Sequence, residues 1–351
     1  MEEQLAKHYY FNDVDKAAPT GNTCTKKRVR IKNFISLVLI ALIFIGFLAH
    51  RFFSADSNKA SLKPLQQDLQ FTWPAVGQAA IGSVEDGLLA RSSDHEKLHP
   101  TASMAKVITA LAIMEKQPFK TGQEGEKYSI NKNDILSLNA YISEGGSVLP
   151  LLIGMKLTQY QAMQRMLIAS DNNMADILAE RIFGSTEEYV LYAQNMLKRM
   201  GLSRTVVADA SGFSPATIST PSELVAIGIA ALKNLVIARI VAQQQAQVPV
   251  AGIIINTNQL LGTEGVIGIK TGTTDAAGSC LLFAAGYTTK DGQKKTIVGV
   301  IMGDKNHSRL YSDSKDLLAS VKKNFSLVEA QSPGNVVAPS QKQRMRLPAN
   351  N

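Results

Sequence analysis

The sequence predicts an α+β fold, in which an antiparallel sheet is flanked by helices and accompanied by a helical subdomain, with one membrane-spanning helix before it. Three observations lead to this prediction. Short β-like runs occur at both ends of the region after residue 73, apolar residues recur every three or four positions between them, and one long apolar run stands near the N-terminus. We expect the two ends of the region to meet in one sheet.

The long apolar run covers residues 34–53 and predicts a transmembrane helix. No residue from Phe34 to Ala49 is charged, and a helix of about 20 residues spans roughly 30 Å, the thickness of a bilayer core. Five basic residues within 26–32 precede the run, which predicts a cytoplasmic N-terminus. A cleaved signal peptide is the rival interpretation, but no small-x-small cleavage site follows the run cleanly. We therefore expect an uncleaved signal anchor with everything after Phe53 outside the cytoplasm.

Composition divides the chain into five segments. Residues 1–33 are predicted to be a basic cytoplasmic segment, and residues 34–53 the membrane anchor. Residues 54–73 are polar and are interpreted as a linker. Residues 74–326 carry the patterns of a folded domain, and residues 327–351, rich in Pro, Gln and Asn, are predicted to be a disordered tail.

The predicted elements of the domain follow in chain order. The stretch VGQAAIGSVEDGLLARSSD predicts a strand, a Glu-Asp-Gly turn and a second strand. A helix is expected from about Ser103 to Glu115, and residues 117–235 are interpreted as mainly helical, with a helix start at STPSELVAIGIAAL. Beyond Ala251, the runs EGVIGIKTG, GSCLLFAAGYTT and KKTIVGVIMG predict strands, with KDGQ as a hairpin turn. SRLYSDSKDLLASVKKNF predicts a closing amphipathic helix.

The net charge of +8 does not indicate a nucleic-acid-binding protein, because most of it lies at the chain ends. Residues 1–33 hold seven Lys or Arg against four acids, and the segment from Gly334 adds three Lys or Arg and no acid. Cys24 and Cys280 fall on opposite sides of the predicted membrane, so no disulfide is expected between them. No Cys-x-x-Cys or His-Glu-x-x-His motif occurs, and we predict neither a metal nor another cofactor.

The first candidate for chemistry is the pair Ser103 and Lys106 in HPTASMAKVITA. Three-residue spacing places both side chains on one face of a helix. The same spacing occurs in three other pairs, Ser129 and Lys132, Ser312 and Lys315, and Ser320 and Lys323. Context separates them, because Ser103 opens a helix with a core-like apolar pattern and the other three serines stand in polar or surface-like segments.

Two further motifs follow in chain order, Ser-x-Asn at Ser170 and Lys-Thr-Gly at Lys270. Each motif has a second copy, at Ser137 and at Lys120. Lys270 closes the apolar run GVIGI and is expected on an edge strand that faces a cleft, whereas Lys120 stands in a polar stretch. Ser170 lies between two helical patterns, where a turn can direct it and Asn172 into the same cleft.

A serine hydroxyl is a weak nucleophile and needs a neighbouring base. Beyond the predicted membrane span the chain contains three histidines, His95, His99 and His307. A Ser-His-Asp triad stays open on that count, but nothing in the sequence supports it. Lys106 is the alternative base, if burial and a second cation such as Lys270 lower its pKa from about 10.4 to about 7, at roughly 4–5 kcal/mol. Ser170 is then a candidate proton relay, and the N–H groups of Ser103 and Thr273 are candidates for an oxyanion hole.

These residues stand in longer stretches that resemble the serine D-Ala-D-Ala carboxypeptidases, low-molecular-mass penicillin-binding proteins of peptidase family S11. The matching stretches are PTASMAKVITA, GSVLPLLIGMKLTQYQAMQRMLIASDNNMADILAE, DASGFSPATISTPSELVAI and NTNQLLGTEGVIGIKTGTTDAAGSCLLFAA. Phe213 and Glu223 are conservative departures from the family pattern. The resemblance covers residues 74–326 and implies a β-lactamase/transpeptidase-like fold. It also implies peptidoglycan stem peptides as substrates and β-lactams as covalent inhibitors.

The resemblance implies a role for each matching residue. The implied catalytic residues are Ser103, Lys106, Ser170 and Asn172. The implied substrate-binding residues are Lys270, Thr271, Gly272, Thr273 and Arg309. In these sets Ser103 is acylated with Lys106 as its base, Lys270 and Thr271 hold the terminal carboxylate of the substrate, and Gly272 permits close approach of the strand. Arg309 aligns only loosely with the family pattern.

The leading hypothesis is a D,D-carboxypeptidase on the outer side of a bacterial cell membrane, removing the terminal D-alanine of stem peptides. The same residues would serve a D,D-endopeptidase that cuts cross-links. A catalytically weak wall-binding scaffold is a third hypothesis, against which the intact Ser, Lys, Ser and Asn set argues. Ser-Asp-Asn is also typical of class A β-lactamases, but their Glu-x-x-x-Asn element is absent between Asn172 and Lys270, which disfavours that activity.

Overall fold

The computed structural model describes residues 70–325 and 327–329. The strands are β1 (Gln78–Ser83), β2 (Gly87–Arg91), β3 (His99–Pro100), β4 (Lys127–Ser129), β5 (Lys156–Thr158), β6 (Ile218–Ser219), β7 (Gln245–Val248), β8 (Gly252–Ile255), β9 (Val266–Thr274), β10 (Gly278–Thr288), β11 (Lys294–Asp304) and β12 (Val328–Glu329). The helices are α1 (Ala105–Lys116), α2 (Lys132–Ser143), α3 (Gln159–Ile168), α4 (Asn172–Phe183), α5 (Thr186–Arg199), α6 (Pro221–Lys233), α7 (Leu235–Val241) and α8 (His307–Phe325). The predicted basic N-terminus, the membrane span, residues 54–69 of the linker and residues 330–351 of the tail lie outside the described residues.

Six strands form one antiparallel sheet in the order β12-β10-β11-β1-β2, with β9 also paired to β10. The hairpin β1–β2 joins the C-terminal strands because β1 pairs with β11, where Gln78 stands opposite Met302. The two ends of the domain therefore meet in one sheet, as predicted. Among the described strands β9 pairs only with β10, which confirms the prediction of an edge strand at Lys270.

Both faces of the sheet are buried, because successive side chains of a strand point to opposite sides. Along β10, Leu282 belongs to the apolar cluster shared with the helical layer of α1 and α6, and Phe283 to the cluster shared with α8. Helix α6 approaches the first face closely, since a Cβ atom added at Gly228 would lie 2.9 Å from the side chain of Val298. Helix α6 therefore lies on the sheet, and α1 packs against α6 and against α3 to α5.

Helices α2 to α5 form the predicted helical part between the two portions of the sheet. Capping residues define where they begin. Asn131 accepts hydrogen bonds from the first backbone N–H groups of α2 while Asp134 accepts from the N–H of Asn131. The predicted start at STPSELV is confirmed, because Thr220 caps α6 and Pro221 is its first residue.

The described chain begins at the end of the predicted linker, and this end packs on the domain. Phe71 and Trp73 lie against the apolar cluster of α8, with their ring centroids 5.3 Å apart. The N–H of Thr72 donates to the hydroxyl of Ser320 on α8. Within the described residues, no single helix combines the length and apolarity needed to span a bilayer; only α6 and α7 taken together pass that test, and they are bent by 104° at their junction.

Candidate active site

Ser103 lies in a 3-10 turn, Ala102–Met104, that leads into α1. The predicted helix start at Ser103 is corrected, because the α-helix begins at Ala105. Ala102 has a φ of 45°, a left-handed conformation that costs a residue with a side chain on the order of 1–3 kcal/mol. Gly212 also has a left-handed conformation, with a φ of 73°. Its backbone packs against this turn so closely that a Cβ atom on residue 212 would lie 1.9 Å from the carbonyl oxygen of Ala102. The turn is held in its conformation by close backbone packing.

Lys106 stands on the first turn of α1 and is fully buried. Its ammonium group has three donors, and each has an acceptor. Nζ donates to Ser103 Oγ at 2.8 Å, to Asn172 Oδ1 at 2.7 Å and to the carbonyl oxygen of Ser211 at 2.8 Å. The structure therefore brings together Ser103, Lys106 and Asn172, as the sequence predicts.

The environment of Lys106 makes its ammonium group lose a proton more easily than that of an ordinary lysine. Burial lowers its pKa to about 8, although the carboxylates of Asp209, Asp176 and Asp171 oppose that shift. At a pKa of about 8, about one molecule in ten carries the neutral amine at pH 7. The neutral amine accepts a proton along the same 2.8 Å contact with Ser103.

Lys270 is buried on β9, and its ammonium donates to the carbonyl oxygen of Thr271 at 3.0 Å. Burial lowers the pKa of Lys270 well below its usual value, and the charge of Lys106 lowers it further. Burial is therefore the largest cause at both lysines. The repulsion between the two cations, predicted for Lys106, instead adds to the lowering of the pKa of Lys270.

The Ser-Asp-Asn triplet forms the turn between α3 and α4, as predicted. Ser170 is buried and has a φ of 63°, a second left-handed residue at the site. Asp171 accepts a 2.9 Å hydrogen bond from Nε of Arg165 on α3, and both side chains are fully buried. Burial raises the pKa of the Asp171 carboxyl, and the ion pair with Arg165 opposes that shift. This pair fixes the turn that delivers Asn172 to Lys106.

Strand β9 passes directly over the Ser103 turn. A Cβ atom at Gly272 would lie 3.0 Å from the backbone nitrogen of Ser103, which is tighter than ordinary contact. The backbones of the strand and the turn therefore lie side by side, as the resemblance implies for this glycine. Thr271 Oγ1 lies 2.6 Å from Thr257 Oγ1, so that a second threonine orients its hydroxyl.

Thr273 and Arg309 lie at the outer end of the site. Thr273 is exposed on β9, and its hydroxyl lies 3.1 Å from Nε2 of His307 at the start of α8. Arg309 stands in the first turn of α8, with its Nε 3.8 Å from Asp304 and 3.6 Å from Asp313. Its contacts are with these two carboxylates, and its role toward a substrate stays a prediction.

Three residues near Lys106 were not singled out from the sequence, Tyr141, Asp176 and Asp209. Asp209 Oδ2 accepts from the hydroxyl of Ser211 at 2.8 Å and from the N–H of Phe213 at 2.8 Å, and so shapes the loop whose carbonyl contacts Lys106. The resembling stretch DASGFSPATIST contains Asp209 and was the one available signal for it. No spacing rule connects Tyr141 or Asp176 to Ser103, since both come from other helices.

The arrangement supports attack by Ser103 on a carbonyl carbon. A buried lysine at 2.8 Å accepts the hydroxyl proton, and the edge of β9 offers backbone groups along which an extended peptide can lie. The second copies of the motifs lie elsewhere. Lys120 belongs to an exposed turn after α1, and Ser129 and Lys132 lie on β4 and α2 with exposed side chains.

The chain is similar in sequence to several known proteins. A family model for D-alanyl-D-alanine carboxypeptidases, peptidase S11, matches residues 80–306. D-alanyl-D-alanine carboxypeptidase DacF of Bacillus subtilis is 26% identical over 262 residues, which are 73% of this chain and 63% of DacF. DacB2 of Mycobacterium tuberculosis is 27% identical over 256 residues, 71% of this chain and 80% of DacB2. A D-alanyl-D-alanine endopeptidase of Pseudomonas aeruginosa is 21% identical over 258 residues, 70% of this chain and 77% of that protein.

Solved structures show the same fold. The Streptomyces K15 DD-transpeptidase superposes with a TM-score of 0.61 at 24% identity, covering 72% of this chain and 98% of that one. A D-alanyl-D-alanine carboxypeptidase of Mycobacterium tuberculosis superposes with a TM-score of 0.61 at 23% identity, covering 76% of this chain and 96% of that one. The predicted transpeptidase-like α+β fold is thereby confirmed.

Proposed function

Because the chain belongs to the peptidase S11 family of D-alanyl-D-alanine carboxypeptidases, we propose that it is a serine D,D-carboxypeptidase of peptidoglycan stem peptides. One observation carries the proposal: the fully buried Nζ of Lys106, with a pKa lowered to about 8, lies 2.8 Å from the hydroxyl of Ser103. Such a pair is the nucleophile and base of an acyl-transfer enzyme.

In the acylation step, neutral Lys106 takes the proton of Ser103 Oγ, which attacks the carbonyl carbon of the penultimate D-alanine. The oxyanion is stabilised by the N–H groups of Ser103 and Thr273, each worth about 2.7–4 kcal/mol. The proton passes by way of Ser170 to the nitrogen of the terminal D-alanine as the peptide bond breaks. Water then attacks the ester, and the stem peptide leaves with a new carboxylate while Ser103 regains its proton.

Substrate binding is assigned to β9. Lys270 and Thr271 hold the terminal carboxylate of the stem peptide, and Arg309 assists them from α8. The same residues accept a penicillin, whose β-lactam carbonyl acylates Ser103 and whose carboxylate takes the place of the terminal D-alanine carboxylate. A protonated Lys270 favours an anionic ligand, since a nearby cation lowers the cost of keeping the ligand carboxylate ionised.

The test uses the full-length protein in detergent with a fluorescent penicillin and with purified muropeptides. We expect one covalent adduct on Ser103 by peptide mass spectrometry and the loss of one D-alanine from pentapeptides. Ser129→Ala, which alters the second Ser-x-x-Lys pair, is the matched control and keeps both activities. An adduct that persists in Ser103→Ala rejects the proposal, and cleavage of cross-linked dimers alone assigns the endopeptidase activity named for the Pseudomonas relative.

We further propose that residues 34–53 anchor the protein in a bacterial cell membrane, with the catalytic domain outside the cytoplasm. The apolar run and the basic residues before it support this topology. Cys24 serves as a natural reporter, because the chain's other cysteine, Cys280, is fully buried. A membrane-impermeant maleimide is expected to label Cys24 only after the cells are permeabilised, whereas Lys290→Cys, at an exposed position, is labelled in intact spheroplasts. Labelling of Cys24 in intact spheroplasts rejects the topology.

A further inference from the structure

Ser211 connects Lys106 to a second group of polar side chains behind it. Its carbonyl oxygen accepts a hydrogen bond from Lys106 Nζ at 2.8 Å, and its hydroxyl donates to Asp209 Oδ2 at 2.8 Å. The same hydroxyl lies 3.2 Å from the phenolic oxygen of Tyr141 on α2. One residue therefore links the base to two further polar side chains, those of Asp209 and Tyr141.

The second group ends at Asp176 on α4. Tyr141 donates its phenolic proton to Asp176 Oδ2 at 2.7 Å. Asp176 follows Asn172 by four residues and therefore lies one turn further along the same face of α4. The helix that presents an amide oxygen to Lys106 thus also carries a carboxylate that is joined to Lys106 through Tyr141 and Ser211.

From this geometry we propose that Asp176 is a positioning residue, linked to Lys106 through Tyr141 and Ser211, that favours the protonated form of Lys106 and so sets the lower pH limit of acylation. The inference rests on the proposed function, in which Lys106 is the base for Ser103. It adds a residue to that function which acts on the base without touching the substrate.

The groups that face Asp176 come from each neighbouring element. They are Tyr141 on α2, Lys106 on α1, Asp209 in the loop before β6, Glu180 on α4 itself and Tyr189 on α5. Burial raises the pKa of Asp176 to about 7, with Tyr141 and Lys106 lowering it and Asp209 and Glu180 raising it. Asp176 and Lys106 therefore titrate close together, and their protons are coupled.

The sign of the coupling follows from charge. An ionised Asp176 attracts the ammonium and raises the pKa of Lys106. When the pH falls and Asp176 takes up a proton, that attraction is lost and the pKa of Lys106 falls with it. With a carboxylate that stayed ionised at every pH, Lys106 would become protonated at a higher pH. Because Asp176 itself takes up a proton, a fraction of Lys106 stays neutral at a lower pH than in that case.

The experiment measures the rate constant for acylation of the full-length protein by a fluorescent penicillin from pH 5 to pH 10. Asp176→Asn removes the charge but keeps an oxygen for Tyr141, and we expect the midpoint of the acidic limb to move to lower pH by roughly 0.3–1 unit. Tyr141→Phe removes the donor that stabilises the ionised carboxylate, and we expect a smaller shift in the same direction. The double variant is expected to shift no further than Asp176→Asn.

Glu187→Gln is the matched control, because Glu187 is an exposed carboxylate on α5 and is not among the groups that face Asp176. We expect its profile to coincide with that of the wild type. Coincident profiles for Asp176→Asn and wild type, or an equal shift in Glu187→Gln, overturn the inference. If Asp176→Asn fails to fold, a Tyr141→Phe profile that coincides with the wild type overturns it instead. Absence of acylation in the wild type at every pH rejects the proposed function itself, which is a different result.

Discussion

The backbone of Gly272 lies against the backbone amide of Ser103, and a Cβ atom on residue 272 would stand 3.0 Å from that nitrogen. The carbonyl oxygen of Thr101 would be 3.1 Å from the same added Cβ atom. Both contacts are with backbone, which cannot swing aside as a flexible side chain can. The strand and the turn reach this proximity only because residue 272 has no side chain.

Substitution Gly272→Ala is therefore expected to push β9 away from the Ser103 turn. We expect acylation by penicillin to slow by about 10- to 100-fold, since small displacements of reacting groups have effects of that size. The control is Gly286→Ala on the neighbouring strand β10, where an added Cβ atom meets nothing within 4 Å. Equal rates for Gly272→Ala and wild type would show that the close approach is not needed.

Substitution Lys106→Arg keeps a positive charge beside Ser103 but removes the base, because a guanidinium does not lose its proton in this pH range. We expect the acylation rate to fall by about 10²- to 10⁴-fold, the usual contribution of general base catalysis. Lys132→Arg is the matched control, since Lys132 belongs to the exposed second Ser-x-x-Lys pair. Stopped-flow fluorescence measures both rates, and a fast Lys106→Arg variant would mean that another group deprotonates Ser103.

The pH profile of the wild-type enzyme follows from the same lysine. Burial lowers the pKa of Lys106 to about 8, and only the neutral amine accepts a proton. The acylation rate is thus expected to rise with pH and to reach half of its maximum near pH 8. Rates measured from pH 5 to pH 10 test this, and a profile that is flat across pH 7 to 9 would contradict Lys106 as the titrating base.

The ion pair of Arg165 and Asp171 is expected to stabilise the fold as well as the site. Both side chains are fully buried, and Arg165 also donates to the carbonyl oxygens of Leu149 and Pro150. Arg165→Met leaves Asp171 without its partner, and we expect the free energy of unfolding to fall by about 3–5 kcal/mol. Urea denaturation measures the change.

The control for this prediction is Arg199→Met, which breaks the exposed ion pair of Arg199 with Glu115. Because exposed pairs contribute little, its cost is expected to stay below about 1 kcal/mol. If Arg165→Met lowers the free energy of unfolding no more than this control does, the buried ion pair does not stabilise the turn at Ser170.

Much of the fold could be predicted from the sequence because it depends on local periodicity. The short apolar runs GSCLLFAAGYTT and KKTIVGVIMG predicted β10 and β11 correctly, and Thr220 with Pro221 marked the start of α6. The same local context separated Lys270, which ends an apolar run, from the second Lys-Thr-Gly at Lys120. The helix start near Ser103 was two residues early, because the left-handed Ala102 that forces the 3-10 turn leaves no trace in residue type.

By itself the sequence determined which residues have the chemistry of the site, since Ser103, Lys106, Asn172 and Lys270 are named by motif and context. Only the tertiary structure decided what surrounds them. The acceptors that hold Lys106 come from residues 66 and 105 positions away, and the carboxylate of Asp176 reaches it through Tyr141 from a third helix. The pKa of a lysine depends on its burial and on nearby charges, and both arise when distant segments pack together rather than from the spacing of residues along the chain.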